Sequence, residues 1–219
     1  MIKLFGLYLN QLPDRRSLAA LLDGQMYASW REKHKSIRDE LATRASLGGV
    51  FLLQKMGYKY HFTYGENGRP FFLDSPIDFN ITHSEQIVIC AVEIPDEGDK
   101  RDKPFCRVGV DVENLARIAA VRICPLAERW FTPAEHDIFL ADPTDATFLR
   151  IWTRKEALIK WTGEGLRSMR KADTTVAEKN YGVLFREYRV ENTLVTLCHR
   201  ADALPPDTPH MLTNSELFD

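Results

Sequence analysis

Apolar positions along this chain change their period several times, and each change predicts a new element. Residues 2 to 9, IKLFGLYL, read as a first strand, and the stretch from about Leu18 to Met56 carries apolar residues at helical spacing among Ala, Lys, Arg and Glu. From Tyr58 to Ile94 the pattern shifts to short aromatic and β-branched runs: YKYHFTY, RPFF, DFNITHS and QIVICAVEI. The turn signals GENG and DSP separate them, which predicts a small antiparallel sheet. The segment PDEGDKRDKP, residues 95 to 104, has no hydrophobic period and is rich in charge, so it reads as an exposed loop or linker. A boundary near residue 104 divides the chain into residues 1–104 and 105–219. After it come a VGVDV strand, a helix near 115 to 130, a helix opening at TPAEHDIFL, a long helix near 144 to 162, and strands at 181 to 190 and 193 to 199. The second part repeats the helix-plus-sheet mixture of the first, so the expected class is α/β of the α+β kind.

Composition narrows the function classes. A chain of 219 residues, 44% hydrophobic and 27% charged, can bury the core of one large domain or two small ones. The opening MIKLFGLYL has no charged leader with a cleavage site, and no apolar run approaches the ~18 residues of a membrane span. A cytoplasmic chain without a membrane partner is expected. Cys90, Cys106, Cys124 and Cys198 are scattered without metal-type spacing and read as reduced, mostly buried thiols. A net charge of -2 argues against wholesale nucleic-acid binding, so phosphate chemistry would depend on local clusters.

Four stretches carry candidate chemistry. In GVDVEN, residues 109 to 114, strand alternation puts Asp111 and Glu113 on one face and the valines on the other. Two neighbouring carboxylates repel unless a positive group sits between them, although an edge strand also uses outward acids to discourage aggregation. In FLRIWTRKEALIKWTGEGL, residues 148 to 166, Trp152, Glu156 and Lys160 recur at intervals of four along one side of a helix. That spacing suits either a solvated ion pair or a partly enclosed site, since Phe148, Leu149, Ile151, Leu158 and Trp161 surround it with apolar residues. Gly163 and Gly165 would end the helix. In DFNITHS, Thr82, His83 and Ser84 precede an apolar strand where a hairpin turn is expected; they offer hydrogen bonds to phosphate oxygens, or simply build the turn. Upstream, GENGRPFF presents Arg69 from a turn. Finally, in WREKHKSIRDELATR, residues 30 to 44, Arg31, Lys33, Lys35, Arg38 and Arg44 outnumber Glu32, Asp39 and Glu40, giving an anion-binding edge or a mixed solvated face.

The order FNITHS, GVDVE, FTPAE and WTRKEALIKWTGEGL strongly resembles the 4′-phosphopantetheinyl transferases of the surfactin-synthetase type, over about residues 28 to 168. The resemblance implies two similar helix-plus-antiparallel-sheet halves related by a pseudo-twofold axis, with coenzyme A in the cleft between them. It implies a monomer that transfers the 4′-phosphopantetheine arm of coenzyme A to a serine of an apo acyl or peptidyl carrier protein, releasing 3′,5′-adenosine bisphosphate. It implies magnesium held by Asp111, Glu113 and Glu156, with Glu156 also a base for the serine. Lys160 would contact the coenzyme A phosphates and relay a proton, Arg44, Arg69, Thr82 and His83 would bind the phosphates as well, and Lys160 and His83 would join Glu156 as catalytic residues by supplying positive charge. Thr82 stands where Ser is more common, and Arg69 where a lysine of a G-K-P motif is common. Arg31, Lys33 and Lys35 do not align cleanly with the family's N-terminal lysines. The apolar run LARIAAVRICPLA, residues 115 to 127 with Arg117 and Arg122, reads as part of a carrier-docking surface or as an amphipathic core helix. Two rival functions use the same residues: a metal-dependent phosphohydrolase, with water as nucleophile, and a non-catalytic module that binds nucleotides or carrier domains.

Overall fold

The computed structural model describes residues 1–34, 39–95, 108–118 and 122–218, apart from the side chains of residues 117 and 118. Strand β1 (Ile2–Tyr8) leads into helices α1 (Arg15–Leu21), α2 (Gly24–His34) and α3 (Glu40–Lys55), then the short strands β2 (Phe62–Tyr64) and β3 (Pro70–Phe72) and the hairpin β4 (Asp78–Ser84) and β5 (Ile87–Glu93). Strand β6 (Val108–Asn114) opens the second half. It continues into α4 (Leu115–Ile118), α5 (Ile123–Trp130), α6 (Pro133–Ala141), α7 (Asp145–Thr162), α8 (Ala177–Tyr181) and the hairpin β7 (Val183–Val190) and β8 (Thr193–Arg200). Strand β9 (His210–Met211) and helix α9 (Asn214–Phe218) follow.

The pairing order is the same in both halves. In the first, β5 lies between β4 and β1; in the second, β8 lies between β7 and β6, and all of these pairs are antiparallel. In each half the chain runs strand, helices, hairpin, and the hairpin's second strand pairs with the opening strand. The first sheet is extended by β9, which runs parallel to β1 with Phe5 opposite His210. Leu212 N then donates to Gly6 O at 2.8 Å, and Leu217 is buried in the first half's core. Residues 210–218 therefore return from the second half to the first.

Burial explains the arrangement. Helices α1, α2 and α3 cover one face of the first sheet through a core that includes Leu7, Leu18, Met26, Leu47, Phe51 and Phe79. A second core draws Ile2, Leu4 and Ile89 together with Val108, Val110, Val112 and Leu197, so the two sheets share apolar side chains. The valines of β6 are buried there as alternation predicts. Helix α7 packs on β6 and β8 through Ala157, Leu158, Ile159 and Cys198. Its close approach depends on Gly109, where a Cβ would overlap the Ala157 carbonyl oxygen and the Trp161 backbone nitrogen.

Several sequence expectations change in detail. The helical opening divides into three described helices because Asp23 and Asp39 restart the chain: Asp39 Oδ1 accepts from Ala42 N at 2.6 Å as an N-cap. The stretch DFNITHS is strand throughout, and the turn falls at Glu85, which takes φ 49. The helix expected over 115 to 130 is described as α4 and α5 with residues 119–121 between them outside the described residues, as are Lys35, Arg38, Cys106 and most of the loop at 95 to 104. Cys90 and Cys198 are buried free thiols and Cys124 is exposed. Among the described residues no helix is long and apolar enough to cross a membrane.

Candidate active site

The two sheets meet along β4 and β6, and side chains make the join. Asp78 Oδ2 accepts from Val108 N at 3.1 Å and Asn80 Oδ1 accepts from Val110 N at 2.9 Å. Thr82 Oγ1 donates to Asp111 Oδ1 at 3.4 Å and Ser84 Oγ donates to Glu113 Oε2 at 3.2 Å. Every second residue of DFNITHS thus faces β6, as strand alternation requires. The polar positions 78, 80, 82 and 84 form a rail along the seam. That rail delivers Thr82 and Ser84 to the carboxylates of GVDVEN.

Helix α7 closes the site from the other side. Thr144 caps its start by accepting from Thr147 N, and Gly163, left-handed at φ 73, ends it. One turn before that end, Lys160 Nζ donates to Asp111 Oδ1 at 2.7 Å and to Thr82 Oγ1 at 3.0 Å. The positive group that GVDVEN requires is therefore Lys160 at least in part. Asp111 is only 5% exposed, and its Oδ2 is buried without a hydrogen-bond partner. Glu156, one turn earlier on α7, has its pKa pushed up from 4.5 to about 7 by loss of water and then by the Asp111 carboxylate, with Lys160 opposing and Glu113 adding to the rise. Asp111, Glu113, Glu156 and Lys160 thus share one electrostatic neighbourhood. A cavity of about 370 Å³ lies beside it, lined by Glu156, Lys160, Ile159, Asn80 and Ile81 and by the turn that carries Asn67 and Arg69.

Among the described residues no group of three or more His, Cys, Asp or Glu side chains stands close enough to hold an ion as placed. The donor chemistry nonetheless suits a hard cation: Asp111, Glu113 and Glu156 offer carboxylate oxygens within one electrostatic neighbourhood, and among the described residues the buried Asp111 Oδ2 has no donor of its own.

The expected anion contacts sort differently. Thr82 is buried at the site, and His83 is exposed; partial loss of water and then the Lys160 charge hold its pKa below 6.5. The Arg69 side chain is turned inward, donating to Asp78 Oδ2 at 2.5 Å, Lys160 O at 2.5 Å and Val108 O at 2.9 Å. The Arg44 guanidinium donates to the carbonyls of Leu9 and Leu12 at 2.8 and 2.9 Å, around the turn after β1. Arg69 also belongs to the lining of the cavity beside Glu156, whereas Arg44 does not. Lys33 donates to Gly68 O at 2.6 Å and lies 4.6 Å from the centre of the Tyr64 ring, while Arg31 lies over Tyr27. Trp152 stacks on Phe148 within the core around α7.

Sequence reasoning missed one buried pair. Lys155 and Glu135 are both fully buried and joined at 2.5 Å, and Lys155 also donates to Ala172 O. Glu135 completes a capping box with Thr132 and accepts from Thr174 N and Oγ1. The available signal was the joint presence of FTPAE and WTRKE: the first motif's glutamate and the second motif's lysine are partners. This pair fixes the rotation of α7 next to Glu156.

Comparison with known proteins follows the same lines. Residues 107–200 match the family model described as the 4′-phosphopantetheinyl transferase superfamily. The chain is 32% identical over 178 residues to the 4′-phosphopantetheinyl transferase AcpT of Salmonella typhi, covering 80% of this chain and 78% of that one. It is 29% identical over 180 residues to the 4′-phosphopantetheinyl transferase Sfp of Bacillus subtilis, covering 75% and 72%. It is 29% identical over 137 residues to the 4′-phosphopantetheinyl transferase HetI of a Nostoc species, where the match spans 59% of this chain and 52% of the relative.

Proposed function

This chain belongs to the 4′-phosphopantetheinyl transferase superfamily, and from that premise we propose that it transfers the 4′-phosphopantetheine arm of coenzyme A to a serine of an apo acyl or peptidyl carrier protein. The observation that carries this reading is the convergence of Lys160, Glu156 and Asp111 beside one cavity at the seam of the two sheets. Coenzyme A would occupy the cleft between the two halves, with residues 1–104 and 105–219 as the halves and a pseudo-twofold axis relating them. The repeated strand-pairing order supports that symmetry. We propose further that the protein acts as a cytoplasmic monomer.

In the reaction the serine oxygen bonds to the β-phosphorus of the coenzyme A pyrophosphate. The bond from that phosphorus to the bridging oxygen breaks, and its electron pair leaves with 3′,5′-adenosine bisphosphate. Glu156, ionised, takes the serine proton. Lys160 offers its ammonium to the phosphate oxygens, where it stabilises charge on the leaving group. Thr82 orients Lys160 by accepting from it, and exposed His83 adds a hydrogen bond to the nucleotide end. Asp111, Glu113 and Glu156 would hold magnesium, which when bound neutralises pyrophosphate charge.

The test is incubation with coenzyme A, magnesium and an apo carrier protein, read by intact mass. Addition of the phosphopantetheine arm to the carrier supports transfer. Consumption of coenzyme A without a modified carrier supports a phosphohydrolase instead, and no change in either supports a binding module.

A further inference from the structure

We propose that the GENGR turn, residues 65–69, is a clasp that caps the C-terminal end of α7 and sets the position of Lys160, with Arg69 and Asn67 as positioning residues. The proposal rests on the transferase reading above.

A helix leaves the carbonyls of its last turn without intrahelical donors, and that end carries partial negative charge. Here the first half of the chain supplies the missing donors. Arg69 Nη1 donates to Lys160 O at 2.5 Å, and Asn67 Nδ2 donates to Gly163 O at 3.0 Å. The other guanidinium nitrogen reaches Asp78 Oδ2 on β4 and Val108 O at the start of β6. One planar group therefore ties together α7 and both strands of the seam, the elements that carry Lys160, Thr82 and Asp111. Only a guanidinium has the fork to serve acceptors in these separate directions.

The turn is itself held. Gly68 adopts φ 81, and its carbonyl accepts from Lys33 Nζ at 2.6 Å. Gly165, at φ 73, leaves room for Asn67, whose Cβ would lie 3.2 Å from a Cβ added there. The arrangement is directional: donors on one half meet carbonyls on the other, next to the residue that contacts Asp111. A shift of the α7 end would move Lys160 Nζ relative to Asp111 while leaving the exposed nucleotide contact at His83 in place.

The clasp separates from a phosphate-binding role by kinetics and by hydrogen exchange. With a carrier protein saturating, Arg69→Ala and Arg69→Lys should both lower kcat by about tenfold to a hundredfold, because a displacement of about 1 Å at the reacting groups has that effect, while the KM for coenzyme A changes by less than about threefold. Asn67→Ala, which removes an exposed side chain and should leave the fold intact, should lower kcat in the same direction by a smaller factor. Amide exchange in peptides spanning residues 158–165 should quicken by about tenfold in Asn67→Ala, and more in Arg69→Ala, as the helix end frays. Wild-type kcat in Arg69→Lys, or a raised KM with kcat kept, overturns the clasp in favour of a phosphate contact. Unchanged exchange in Asn67→Ala and in whichever Arg69 variant folds overturns it too. Absence of transfer by the wild type would refute the transferase reading, while the exchange measurement still decides whether the turn holds the helix.

Discussion

Lys160 Nζ stands 2.7 Å from Asp111 Oδ1, yet the other oxygen of that carboxylate is buried with no donor. A helix residue pairs with one side of Asp111, and the other side has no hydrogen-bond partner among the described residues. In the proposed reading, Lys160 and magnesium would share this carboxylate from opposite sides rather than compete for it.

Asp111→Ala should abolish magnesium-dependent transfer and the heat of magnesium binding measured by calorimetry. An identical isotherm in the variant and the wild type, with full activity kept, would sink the shared cation site. Lys160→Ala should retain magnesium binding and coenzyme A affinity but lower kcat by about 10² to 10³, the range seen on removing one preorganised donor. Turnover at the wild-type level would reduce Lys160 to a structural ion pair.

The pKa of Glu156 is raised in the folded protein from 4.5 to about 7. Between these values the native state binds more protons at this site than the unfolded chain, so its contribution to stability is present below 4.5 and is lost as pH rises through 7. Glu156→Gln, which never ionises, should therefore gain thermal midpoint over the wild type as pH climbs through that window, with a plateau above it. A constant difference across pH would show that Glu156 titrates normally. Saturating magnesium should shrink the difference, since binding favours the ionised form.

Removing one member of the buried Glu135–Lys155 pair leaves the other uncompensated, which costs about 3–5 kcal/mol in such settings. Lys155→Met should show a loss of that order in urea denaturation. A loss below about 1 kcal/mol, the range of an exposed pair, would mean that the site relaxes or admits water.

Gly109→Ala tests the contact between α7 and β6. The atoms a new Cβ would overlap are backbone, so the helix must shift rather than a side chain yield. Overpacking of this kind costs about 1–3 kcal/mol and occasionally more. Activity should fall further than stability alone accounts for, because Lys160 moves with the helix. Full kcat in a folded Gly109→Ala protein would show that the site tolerates the shift.

Much of this site was legible because its groups follow local periods. Alternation in GVDVEN correctly separated buried valines from site carboxylates, and the i, i+4 spacing put Glu156 and Lys160 on one side of α7. The fate of Arg69 and Arg44 was not legible. The resemblance assigns both to phosphate, and their partners in the fold are backbone carbonyls and an aspartate brought close only by tertiary packing. DFNITHS was misread in part as a turn because it alternates Asp, Asn, Thr and Ser with larger residues; those polar groups are satisfied by a strand from the other half, about thirty residues away. The Glu135–Lys155 pair escaped for the same reason, since neither residue shows from sequence that it is buried.

The return of β9 to β1 has a consequence for the order of synthesis. Strand β1 is made some two hundred residues before its edge partner, so a nascent chain carries IKLFGLY with one side lacking β9 until residues 210–211 emerge. An apolar strand with an open edge is a template for pairing with other chains. The sheet can form its β1–β5 hydrogen bonds early, because both strands lie within the first 93 residues. Its closing strip, and the burial of Leu217 behind it, come only after the whole second half has been translated. The first half is thus completed only by the second, and its exposure to misassembly lasts until the chain through Met211 has been made.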